Sequence, residues 1–203
     1  MKNKLLIMLE MQDAMNARVN PDWRQANNAW YRAIWTECAE MLDHYGWKWW
    51  KHQQPDLDQV RLELVDIFHF AMSDYLLGGS DNKAVAERIL SELSDPEQQT
   101  DIREAIESMA RSTIERKSMH FSEFSNVMWL IDMDFGQLYR LYVGKNVLNF
   151  FRQDHGYQDG SYAKIWQGRE DNEHLTELLG KLDSESDSFQ ENIYQGLKTR
   201  YAG

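Results

Sequence analysis

An all-α helical bundle is the fold class this sequence predicts, and three observations predict it. Apolar residues recur at helical spacing through long stretches of the 203-residue chain. Alternating β-branched runs between tight turns, the mark of strands, are nearly absent. The 3 prolines, Pro21, Pro55 and Pro96, all fall between the periodic stretches. Hydrophobic residues make up 42% and aromatic residues 12% of the chain, including 8 Trp, enough to pack a real core.

Taken in order, helices are expected at about Lys4–Arg18, Trp23–His44, Asp56–Leu77, Lys83–Leu93, Gln98–Arg116, Phe121–Ile131, Gly136–Gln153, Asn172–Leu182 and Asp187–Tyr201. Pro21-Asp22 and Pro55-Asp56 read as helix starts, with acids where the dipole favours them. Gly78-Gly79-Ser80-Asp81 reads as a turn. Gly144, inside a helical stretch, costs propensity and signals close packing or close ligand approach. Residues 1–203 read as a single domain, with the polar segment 80–118 as an outer helical insertion.

The formal net charge of −11 argues against a nucleic-acid groove. The N-terminal L-L-I-M-L run is short for an export signal, and no stretch approaches a membrane span. A lone Cys38 forms no internal disulfide, which fits a reducing, cytoplasmic setting.

Four acids carry the chemistry. Glu37 and Glu40 in E-C-A-E, and Glu63 and Asp66 in E-L-V-D, each lie three apart and so share a helix face. Glu37 borders an apolar arc of Trp30, Ile34, Trp35, Cys38, Met41 and Leu42. The second pair brackets Phe70, beside an arc of Val60, Leu64, Val65, Ile67, Phe68, Ala71 and Met72. Two such helices packed together would gather four carboxylates that repel unless a cation lies between them, and hard Mg²⁺ suits oxygen donors. Either pair alone is an ordinary solvated face; two pairs beside apolar arcs make metal-assisted chemistry on a phosphate-bearing substrate an even match for that plainer reading. No zinc spacing occurs among the 6 His, and His69, between Phe68 and Phe70, reads as a core or supporting histidine.

The bases and amides fit such a substrate. Lys145, Asn149 and Arg152 share one helix face, and Gly156, Tyr157, Gly160, Tyr162 and Lys164 follow in a turn-rich, lid-like stretch. Pairing with neighbouring acids and an ordinary loop is the plainer alternative. Gln12 and Asn16, four apart, carry amides that could read a nucleobase edge or merely face solvent. In G-W-K-W-W-K, Trp47 could stack on a base and Lys48 or Lys51 could reach phosphate; packing or an interface is equally open.

The order L-E-M-Q-D-A-M-N, W-T-E-C-A-E, G-W-K-W-W-K, E-L-V-D-I-F-H-F and Y-V-G-K-N-V-L-N-F-F-R-Q-D-H-G-Y, then Y-A-K-I-W and G-R-E-D-N, resembles the all-α, dimeric dUTPases. The resemblance covers about Leu9–Leu77 and Tyr139–Asn172. It implies Mg²⁺-dependent hydrolysis of dUTP, and also dUDP, to dUMP, with more than one ion held by Glu37, Glu40, Glu63 and Asp66. Glu37 would also orient or deprotonate the attacking water. Gln12, Asn16 and Trp47 would enclose uracil, Asn149 would meet the deoxyribose 3′-hydroxyl, and Tyr157 belongs to the lid. Lys48, Lys145, Arg152 and Lys164 would contact phosphate. A homodimer whose sites borrow residues from the neighbouring subunit is implied as well. Within enzymes a related pyrophosphohydrolase acting on dCTP stays open, and outside them a non-enzymatic helical interaction module.

Overall fold

In a computed structural model, which describes residues 1–78, 81–95 and 99–201, the chain folds as an all-α assembly with one very small hairpin. The helices are α1 (Lys2–Val19), α2 (Trp30–Tyr45), α3 (Leu57–Leu76), α4 (Asn82–Leu93), α5 (Ile102–Arg116), α6 (Phe121–Leu130), α7 (Phe135–Asp154), α8 (Asp171–Leu179) and α9 (Phe189–Arg200). Between α7 and α8 lie strands β1 (Ile165–Trp166) and β2 (Arg169–Glu170). Gly79, Ser80, Pro96 and Gln98, which bear on the expected turn and the start of the fifth helix, lie outside the described residues.

Helix α3 is the axis. Asp56 caps it, accepting from the Gln59 N–H at 3.2 Å. It buries Val60, Leu64, Ile67, Phe68, Ala71 and Met72 together with Leu62, Glu63, Val65 and His69, so it is covered on most sides. Helices α1, α2 and α7 pack on it, α5 packs on α2, and α9 packs on α7 and α8. Helix α1 buries Leu5, Met8, Leu9, Gln12, Met15 and Asn16, a 3–4 spacing that ends in two amides rather than two aliphatics. Helix α7 starts with a capping box, in which Asp134 and Gln137 each hold the other's backbone N–H.

The expected helix start at Pro21-Asp22 is corrected. Residues 20–26 form successive tight turns, with Trp23 N–H donating to the Asn20 carbonyl and Gln25 N–H to that of Asp22. Asn27 then takes φ +52°, a left-handed conformation that Asn tolerates and a helix does not contain. The segment stays in place because Trp23 is buried, edge-on to Trp30 at 6.1 Å, and donates to Asp13. Trp35, assigned to the apolar arc of α2, is instead 40% exposed, while Ile34, Cys38 and Met41 point inward.

The hairpin was not anticipated either. Gln167 and Gly168 both have positive φ, +51° and +79°, the conformation of a two-residue type I′ turn, and they pair Ile165 with Glu170 and Trp166 with Arg169. Gly144 serves packing: a Cβ there would come within 2.7 Å of Leu179 Cδ1, so α8 sits directly on the α7 backbone. No helix of the described residues is long and apolar enough to cross a membrane.

Candidate active site

Helices α2, α3 and α7, with the start of α8, enclose a cavity of about 800 Å³. Glu37, Glu40 and His44 reach it from α2, and Glu63, Asp66 and Phe70 from α3. The opposite wall carries Lys145, Asn149 and Arg152 from α7, Asn172 from α8, and Tyr157 and Lys164 from the connecting segment. Acids and bases therefore share one space, with Glu170 and Glu173 lining it among the bases.

Three of the four acids converge. Glu37, Glu63 and Asp66 bring carboxylate oxygens within 4.8 Å of one another. Glu40 lines the same cavity but is exposed and outside that cluster. Burial, then the charges of Asp66, Glu40 and Glu63, push the Glu37 carboxyl up to about 8. Burial also raises Glu63, against the pull of Lys145, and His44 Nε2 lies 3.4 Å from its carboxylate. Desolvated carboxylates this close hold a shared proton or need a cation. The donor set is all oxygen and fits a hard divalent ion, so these three residues would hold it.

The bases are engaged before any substrate arrives. The Lys145 ammonium, 3% exposed, lies 2.8 Å from Asp66 and 3.1 Å from the Asn172 amide oxygen. Arg152 is held by Asp171 through two bonds of 2.8 and 2.9 Å, and also donates to Asn149. Tyr162 donates to the same Asp171 carboxylate. Burial opposes the charge on both members of the Arg152–Asp171 pair, but their mutual attraction outweighs it, lowering Asp171 and raising Arg152. Lys164 is exposed, 3.8 Å from Glu170. Cys38 is buried and, chiefly by burial, pushed up to about 12, so it offers no nucleophile.

A second cavity of about 230 Å³ adjoins the first through Met15, Asp66, Phe70 and Asn149. Gln12 and Asn16 line it, but their amides are tied into a buried network. Gln12 donates to Asn16 and Ser73, Asn16 donates to Ser73, and Tyr142 donates to the Gln12 oxygen. His69 Nδ1 sits 2.6 Å from that same oxygen. An amide oxygen only accepts, so Nδ1 carries the proton and Nε2 is left as an acceptor, buried and without a partner among the described residues. Burial drives the His69 pKa down to about 4, which keeps the ring neutral.

Trp47 and Lys48 are not brought to either cavity. They lie on the turn that leaves α2 at Gly46, where both side chains bond to Asp43, and Trp49 beside them is 89% exposed. Residues not singled out for the site from the sequence include His44 and Asn172 at the larger cavity, the buried Asp171 that holds Arg152, and Trp23, Asn28 and Trp30 at the smaller. The G-R-E-D-N run was the available signal for Asp171 and Asn172. Nothing local marked the wall built by residues 20–30, because it depends on a turn where a helix was expected.

A family model described as dUTPase matches residues 4–157, about three quarters of the chain. The chain belongs to the dUTPase family. This dUTPase is accordingly an enzyme that hydrolyses dUTP, and the divalent-metal dependence general to dUTPases agrees with its acidic cluster. The match runs through the middle of the chain, which the sequence resemblance left out, and stops at Tyr157, before Lys164, Asp171 and Asn172. No curated protein matches the chain. The interaction-module alternative gives way to the enzyme.

Proposed function

We propose that this dUTPase converts dUTP to dUMP and pyrophosphate, and dUDP to dUMP and phosphate, with Mg²⁺ as its ion and water as nucleophile. The observation that carries the proposal is the convergence of Glu37, Glu63 and Asp66 within 4.8 Å, in one cavity with Lys145 and Arg152. Glu37, Glu63 and Asp66 would hold the Mg²⁺, which would supply charge neutralisation for the phosphate chain. Glu37, whose carboxyl burial and the neighbouring acids push up to about 8, takes the proton of the attacking water. Glu40, at the rim, completes the acid set for a further ion. Lys145, Arg152 and Lys164 contact the phosphates, and Asn149, which borders both cavities, contacts the sugar between base and phosphate. Tyr157 and Lys164, both exposed, close over the bound nucleotide.

The smaller cavity takes the base. Gln12 and Asn16 act there mainly by fixing the ring of His69, whose free Nε2 accepts a proton-bearing nitrogen. Uracil offers N3–H, whereas cytosine offers an acceptor at N3, and two facing acceptors repel. This favours dUTP over dCTP. We read residues 1–203 as a single domain, working as a homodimer in the cytoplasm. The exposed Trp47–Trp50 turn suits the face that a second copy covers.

Pyrophosphate release from dUTP, dCTP and dTTP, with and without Mg²⁺, tests the reading. It expects rapid release from dUTP, slow release from dCTP and none without Mg²⁺. Equal turnover of dCTP and dUTP would defeat the claim of base selection.

A further inference from the structure

We infer that Lys145 is the built-in counter-ion of the carboxylate cluster, and that it and a divalent cation exchange places on Asp66 as the site is loaded, a step that rests on the metal-assisted reading above. Asp66 serves two partners. One of its oxygens belongs to the group of three acids within 4.8 Å, and Oδ2 holds the Lys145 ammonium at 2.8 Å. At 3% exposure that ammonium is nearly cut off from water, so it must be satisfied by protein groups. Asp66 and Asn172 bond it directly, the first charged and the second neutral, while Glu63 and Asp171 feel its charge without bonding it.

A divalent cation among Glu37, Glu63 and Asp66 would meet a buried positive charge on one of its own ligands. Like charges at such range repel strongly, and the flexible lysine stem is the part that can yield. Asn172 already accepts from Nζ at 3.1 Å, so the ammonium can leave Asp66 without leaving the cavity it lines. Arg152 is placed differently. Its bonded counter-ion is Asp171, which is fully buried and is not one of the three clustered acids, so a cation there does not compete for the atoms that bond Arg152, although Arg152 also feels the charge of Asp66. Lys145 is therefore the base that loading releases toward phosphate. Cation and phosphate binding become positively coupled, each favouring the state in which Asp66 has let Lys145 go.

The test is a titration of Mn²⁺ alone, followed by electron paramagnetic resonance, on the wild type, Lys145→Met and Asn172→Ala, each checked for a cooperative thermal melt. Lys145→Met is expected to bind Mn²⁺ about tenfold more tightly, and Asn172→Ala more weakly than the wild type. In the wild type, Mn²⁺ should raise the affinity for inorganic pyrophosphate, and Lys145→Met should lose that gain. Unchanged or weaker Mn²⁺ binding by Lys145→Met overturns the exchange. So does a crystal structure of the Mn²⁺-loaded, nucleotide-free protein with Nζ still within about 4 Å of Asp66. If the wild type hydrolyses dUTP with Mg²⁺ yet Lys145→Met binds Mn²⁺ no better, the exchange alone fails. A wild type that neither binds Mn²⁺ nor releases pyrophosphate defeats the metal-assisted reading as well.

Discussion

Glu37 is the residue on which burial and charge act together. In the metal-free folded protein it keeps its proton up to about pH 8, against an ordinary value of 4.5. Between those values the native state binds more protons than the unfolded chain, so stability must fall as pH rises through that window. Thermal unfolding with a chelator present should therefore give a lower Tm at about pH 8 than at about pH 6, and Mg²⁺ should reverse the drop. A Tm that rises over this interval would contradict the assignment. Glu37→Gln keeps the shape, removes the base, and is expected to lower turnover of dUTP about 10²–10⁴-fold in steady-state pyrophosphate release. His69 makes a separate claim about specificity. Replacing it with Phe, which keeps the ring but removes the acceptor, should narrow the preference for dUTP over dCTP by about tenfold or more in kcat/KM. An unchanged ratio would place base selection elsewhere.

At the scale of elements, most helices were legible because one property, the 3–4 spacing of apolar residues, dictates both their extent and their buried face. Helix α3 shows this best: Val60, Leu64, Ile67, Phe68, Ala71 and Met72 are all buried, and Asp56 caps the first turn as its place after Pro55 implies. Residues 20–30 show where the signal stops. Pro21-Asp22 has the local chemistry of a helix start, but Asn27 turns left-handed and the Trp23–Trp30 contact decides the path. The Gln-Gly turn between β1 and β2 was readable in principle, yet two-residue strands are too short to show alternation. Gly144 was legible as a constraint, and only the neighbouring helix shows which one. Gly144→Ala would drive a methyl into Leu179 and should cost about 1–3 kcal/mol in chemical denaturation. Because α8 carries Asp171 and Asn172, the same change should raise KM for dUTP.

At the scale of the whole molecule, the acidic half of the site was readable from spacing, since two helices with acids three apart can meet along only a few faces. The bonds that position the bases were not. Asp171 lies nineteen positions from Arg152, and their bidentate pair exists only because α8 folds back on α7. Trp47 and Lys48 line neither cavity of the single chain, and the sequence could not show this: an aromatic–basic cluster reads the same whether it faces a ligand or an open surface. If a second copy covers that surface, light scattering coupled to gel filtration should give twice the chain mass of 24.1 kDa, and Trp49→Glu should shift it toward one. The most direct measurement is anomalous diffraction from crystals grown with Mn²⁺ and a non-hydrolysable deoxyuridine triphosphate. Cation peaks bounded by Glu37, Glu63 and Asp66, with the phosphates facing Lys145 and Arg152 and the base beside His69, are the predicted result. Cations or nucleotide bound away from those carboxylates would contradict it.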